Sequence, residues 1–91
     1  MNKRFLHIAF NWSGNPKIAE MKPAFDRASD WMRYAPNCWI VLSSEDPQTW
    51  YERLKPFLGI GDHMFICALD ITVRRGWLPK TTWEWINKKR V

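Results

Sequence analysis

The run Arg4-Phe5-Leu6-His7-Ile8-Ala9-Phe10 alternates, with Leu6, Ile8 and Phe10 on one side and Phe5, His7 and Ala9 on the other. Asn11-Trp12-Ser13-Gly14 ends it. A period of two over seven residues is the signature of a β-strand, and here both faces of the strand are largely apolar. A strand with two apolar faces belongs to a sheet covered on both sides, so each face needs a covering layer.

Reading outward, Asn15 and Pro16 open a helix over about 16–29, in which Ile18, Met21 and Phe25 share a face. Pro23 removes a backbone donor inside that span and predicts a kink or a delayed start. Trp31 to Ala35 and Cys38 to Ser43 flank the turn signal Pro36-Asn37 and read as a hairpin. Asp46-Pro47 is a cap followed by a first-turn proline. Trp50, Leu54, Phe57 and Leu58 then form an apolar stripe that stops at Gly59 and Gly61. His63 to Leu69 is a fourth, almost wholly apolar strand, and Ile71 to Leu78 is expected to add a fifth. Thr81 with Glu84 three residues later matches a capping box for a terminal helix carrying Trp83, Trp85 and Ile86. The order β-α-β-β-α-β predicts an α+β fold. Its expected form is a ferredoxin-like sandwich, four antiparallel strands with both helices on one face, extended by an extra C-terminal strand and a short helix. The other face, carrying Phe5, His7, Ala9 and Asn11, is then expected to be buried by a second copy of the chain in a two-fold dimer.

Composition narrows the function. With 91 residues there is room for one domain, 1–91, and at 46% hydrophobic with seven Trp the chain is not intrinsically disordered. No apolar run approaches the ~18 residues of a membrane span, and the N-terminal stretch lacks a small-residue cleavage site. Two cysteines, Cys38 and Cys67, are too few for a disulfide scaffold, so a reduced, cytoplasmic setting is expected. The formal charge of +5 is unevenly placed. Residues 1–70 hold eight Lys/Arg and eight Asp/Glu, whereas the extension 71–91 holds six basic residues against Glu84 alone. Such an arm fits phosphates or an acidic protein surface. It also fits a solubilising tail that complements a helix dipole.

The tryptophans sharpen that choice. Trp39, Trp50 and Trp31 fall at packing positions, but Trp12, Trp77, Trp83 and Trp85 are hard to bury in so small a body. Aromatics interleaved with basic side chains suit base stacking and phosphate contact, and they equally suit the anchors of a protein interface. The candidate partner-binding set is Arg74, Arg75, Trp77, Lys80, Trp83, Lys88, Lys89 and Arg90. No metal or cofactor is expected. His7 and His63 have no metal-ligand spacing to each other or to the cysteines, and Gly59-Ile60-Gly61 lies between a helix and a strand, the reverse of a phosphate-binding loop.

Several stretches carry a family resemblance: Phe5-Leu6-His7-Ile8-Ala9-Phe10-Asn11, Trp31-Met32-Arg33-Tyr34 leading into Cys38-Trp39-Ile40-Val41, Leu54-Lys55-Pro56-Phe57-Leu58 and Asp62-His63-Met64-Phe65. Over 3–70 the chain resembles the SinR-type small proteins, which are similar to the CRISPR-associated spacer-acquisition subunit and to virulence-associated protein D. The resemblance implies a ferredoxin-like homodimer and a nucleic-acid-binding scaffold, with a metal-dependent nuclease activity in some members. That activity rests on an Asp at the end of the first strand, and here the position is Asn11. A neutral amide is a poor ligand for a hard cation, so a non-catalytic protein is expected. Two alternatives stay open. One is a protein-binding module, such as a phage or mobile-element inhibitor of a host defence enzyme. The other is a metal-dependent nuclease using Asp70 or Asp62.

Overall fold

A computed structural model describes residues 2–89. In order, the chain forms β1 (Arg4–Asn11), α1 (Ile18–Phe25), β2 (Asp30–Ala35), β3 (Cys38–Ser43), α2 (Pro47–Leu54), β4 (His63–Leu69) and α3 (Lys80–Lys88). A 3-10 turn, Lys55–Phe57, follows α2. The four strands make one sheet in the order β2-β3-β1-β4, and every neighbouring pair is antiparallel. The protein is therefore α+β, with β1 at the centre of the sheet beside β3 and β4.

The alternation in β1 sorts the core into two layers. Leu6, Ile8 and Phe10 meet Met21, Ala24 and Phe25 of α1, Trp50 and Leu54 of α2, and Trp39 and Val41 of β3. Their rings interlock: Phe25 stacks on Trp39 at 4.8 Å between centroids, and Phe10 meets Trp39 edge-on at 5.4 Å. On the opposite side Phe5, Ile40 and Leu42 are covered by Ile86 of α3, with Trp83, Trp85, Leu78 and Ile71 packed around them. Phe5 is only 1% exposed. The expectation that this whole face awaits a second copy is corrected for Phe5: the chain's own C-terminal helix roofs it. Oily positions on a strand need a cover, and the amphipathic helix after β4 is the nearest one at hand.

The expected fifth strand does not form. Residues 70–79 are irregular, because their polar groups are satisfied locally instead of in a ladder: Asp70 accepts the Thr72 amide at 2.9 Å in a short turn, and Arg74 donates to the Ile71 carbonyl at 2.9 Å. Ile71 and Leu78 turn inward onto the Phe5 cluster, while Val73 and Trp77 point to solvent. The first helix is also shorter than 16–29. It begins at Ile18 after Lys17, two residues later than read, and still holds Pro23 in its interior. The α2 start is as read: the Asp46 side chain accepts from the Thr49 amide at 2.8 Å, with Pro47 in the first turn. In α3 the capping box is absent. Pro79 precedes the helix without a side-chain cap, and Thr82 is buried.

What holds α3 down is Asp30 at the start of the edge strand β2. Its carboxylate accepts the Trp85 indole N–H at 3.1 Å and pairs with Lys89. Trp85 meets Phe5 edge-on at 6.0 Å. Burial by itself would raise the Asp30 carboxyl, but the hydrogen bonds from Lys89, the Trp31 amide and Trp85 outweigh it and hold it below its ordinary 3.8. The sign follows: this anchor is present above pH 3.8 and is lost as pH falls through the lower folded value. Asp30→Ala is expected to loosen α3, read as faster limited proteolysis between residues 71 and 89 at pH 7. Unchanged cleavage there would show that apolar packing alone retains the helix.

Candidate nucleic-acid interface

The C-terminal residues read from the sequence divide into two groups. Arg74, Arg75 and Trp83 come together in one groove of about 610 Å³, lined also by Thr72, Val73, Gly76 and Asn87. A second cleft of about 640 Å³ shares Thr72, Arg74 and Asn87 with it and continues past Arg4, Asp70, Ile86 and Lys89. The two make a continuous channel between the irregular segment 70–76 and α3. Lys80 and Lys88 are exposed on α3 away from this channel, and Arg90 lies outside the described residues. Trp77 is 100% exposed on the loop next to the groove, as is Val73 at 90%.

Within the channel the cations differ in availability. Arg74 is oriented by the Ile71 carbonyl at 2.9 Å and by Asn87 Oδ1 at 2.5 Å. Those contacts use two of the roughly five donors that a guanidinium carries, leaving a fixed, planar fork for an anion. Arg75 makes no hydrogen bond or ion pair among the described residues and stands exposed beside it. Lys89, in contrast, is committed to Asp30 and lies over the Trp85 ring at 5.7 Å, so it serves the attachment of α3. Trp85 belongs to that attachment too. Asp70 brings a negative charge to the far cleft, where its hydrogen bonds from the Thr72 hydroxyl and amide hold the carboxyl below the usual range. The positive part of the channel is therefore the Arg74–Arg75 end. Sequence reasoning missed Arg4 and Asn87, because neither a strand-opening arginine nor a helix-borne asparagine carries a local signal of which loop will pack against it.

The other candidate residues fall elsewhere. His7, on the same sheet face as Phe5 but beyond the reach of α3, hydrogen-bonds Tyr34 through Nε2 at 2.5 Å. Ala9 is half-buried between Cys38 and Phe65 in the ladder, and Asn11 is exposed at the strand end opposite His63. Both cysteines are free thiols and half-buried. Burial, then the neighbouring Cys38, pushes the Tyr34 hydroxyl up to about 12. Burial lowers His7 below its ordinary 6.5. The unfolded chain therefore takes up a proton first as pH falls through 6.5, and stability present above that value declines until the lower folded value is passed. His7→Gln is expected to flatten this part of the stability–pH curve and leave the loss from carboxylates at lower pH intact. An unaltered curve in urea titrations would show that His7 does not contribute.

Asp62 has a structural task. Its Oδ1 accepts the Ser13 amide at 2.8 Å and the Ser13 hydroxyl at 3.1 Å, and its Oδ2 accepts the Gly59 amide at 2.8 Å. These bonds tie the loop after β1 to the loop before β4. Gly61 adopts φ of 87° there, with Ser13 so close that a Cβ would collide with it. Asp70 stands apart from Asp62 at the opposite end of β4, and among the described residues no three His, Cys, Asp or Glu side chains converge as metal ligands. Among those residues, too, no helix is long and apolar enough to cross a membrane. Comparison with protein-family models, curated proteins and solved structures returns no match.

Proposed function

We propose that the protein is a non-catalytic nucleic-acid-binding protein that holds a single strand in the channel between residues 70–76 and α3. The observation that carries this reading is the meeting of Arg74, Arg75 and Trp83 in one groove, with Trp77 wholly exposed beside it. The arginines supply phosphate contacts and the indoles supply stacking faces, a pairing that binds single strands with little regard to sequence. A ferredoxin-like topology is part of the same proposal. It is supported by the strand order β2-β3-β1-β4, by antiparallel pairing throughout, and by α1 and α2 sharing one layer over the sheet. The resemblance to SinR-type proteins agrees with this reading. Asn11, neutral and exposed, and Asp62, engaged by three donors, both weigh on the side of binding without cleavage.

A protein partner is the second reading. Val73 and Trp77, both apolar and fully exposed on one loop, favour it, because an aliphatic side chain gives nothing to a phosphate and much to a protein surface. Salt separates the two. Binding of a labelled single-stranded oligonucleotide, followed by anisotropy, is expected to weaken steeply as ionic strength rises. Absence of binding at low salt would overturn the nucleic-acid reading.

A further inference from the structure

The two edges of the sheet are treated very differently. The β2 edge carries Asp30 and Arg33, is broken by a bulge between Arg33 and Ala35, and has Trp85 and Lys89 of α3 fastened to its first residue. Charge, irregularity and a covering element are the usual means by which a soluble sheet prevents strand addition. The β4 edge has none of them. His63-Met64-Phe65-Ile66-Cys67-Ala68-Leu69 contains no Lys, Arg, Asp, Glu, Pro or Gly. Its pairing with β1 runs without a break from Phe5↔Leu69 to Asn11↔His63, so the strand is regular along its whole length. Among the described residues, no turn or side-chain hydrogen bond reaches its outer side. Phe65 is 65% exposed on it, and a groove of about 300 Å³ lined by Gln48, Tyr51, Met64 and Ile66 runs alongside.

We infer that β4 pairs with β4 of a second copy of this chain, antiparallel across a two-fold axis at Ile66, to make one continuous eight-stranded sheet. The strand's own sequence argues for a copy of itself. In that register Phe65 faces the partner's Cys67 and Met64 faces the partner's Ala68, so each large side chain meets a small one on its own face of the sheet. His63 faces the partner's Leu69, and no like charges are brought together anywhere along the seven residues. The half-exposed Tyr51 of each α2 then lies beside the junction, adding side-chain contact to the strand pairing. Because β2 is protected, the assembly closes at two copies. This dimer uses the sheet edge, not the face bearing His7 and Ala9, and it is independent of the nucleic-acid reading.

Light scattering at tens of micromolar should give twice the chain mass. In a Cys38→Ser, Cys67→Ser background, Ile66→Cys should form a dimer-linking disulfide on mild oxidation, since directly opposed strand residues lie within bridging distance. Phe65→Lys, at an exposed position the fold tolerates, should yield a monomer with an unchanged far-ultraviolet spectrum. A monomeric wild-type chain, or mass growing beyond two copies, would overturn the inference. So would cross-linking through Ala9→Cys in the same background with none through Ile66→Cys, which reports pairing of sheet faces.

Discussion

Trp50→Ala is expected to lower folding stability by about 3–5 kcal/mol, the range for removing a large aromatic from a packed interior. Trp50 is fully buried on α2, and three different neighbours depend on it. Phe25 lies 6.0 Å from its ring, and the Arg53 guanidinium sits over its face at 4.6 Å. Its indole N–H donates to Ser43 Oγ at 3.1 Å, and that oxygen also accepts the Glu45 amide at 3.0 Å. Truncation leaves a cavity and strips the apolar cover from Arg53, whose side chain is itself buried and held by Glu45 at 2.7 Å. A domain of this length has roughly 5–14 kcal/mol in hand, so the variant should lose a large share of its stability and melt at a markedly lower temperature. Trp50→Phe keeps most of the volume and loses one hydrogen bond, for which about 1–2 kcal/mol is expected. Urea titration measures both. A midpoint shift for Trp50→Ala smaller than that for Trp50→Phe would contradict the placement of this ring at the centre of the larger core.

The second large effect is on binding. If a single strand contacts Arg4, Arg74 and Arg75, the logarithmic salt slope is about −0.7 per phosphate, and affinity should fall about 18-fold between 50 and 200 mM salt. Replacing Arg74 and Arg75 by Ala removes two of those three contacts and should reduce the fall to about 3-fold, with weaker binding at the lower salt. The fold should survive, because Arg74 is exposed and its partners Asn87 and the Ile71 carbonyl can turn to water. Trp77→Ala tests the stacking half of the proposal separately. A loss of about 1–3 kcal/mol that does not change the salt slope is the mark of a base-stacking side chain. An affinity that ignores both salt and the arginine pair, yet collapses with Trp77→Ala, would move the reading to a protein partner.

Much of the fold could be read along the chain because its signals are local. The alternation of β1, the Asp46-Pro47 helix start, the Pro36-Asn37 turn and the apolar run of β4 each depend on neighbours within a few residues. Two local readings failed for the same reason. Ile71–Leu78 has strand-like composition, and Thr81-x-x-Glu84 has the pattern of a capping box, but at the C-terminus packing against Phe5, Ile40 and Leu42 took precedence over both. Of the candidate interface, Arg74, Arg75 and Trp83 were legible as a basic, aromatic cluster. The different fate of Lys89 was not, because only the approach of Asp30 from an edge strand 59 residues away turns that lysine inward.

The amino-acid order alone determined that β1 would be apolar on both sides, and hence that two layers would cover the sheet, because a period of two assigns each side chain to a face before any partner is known. Which element supplies the second layer was decided by tertiary structure. Ile86 and Trp85 reach Phe5 only once β1 and β2 lie in one sheet, with Asp30 placed to receive Trp85 and Lys89. The same holds for the contrast between the guarded β2 edge and the bare β4 edge. Strand composition is written in the sequence, but which strands stand at the edges is a property of the assembled sheet.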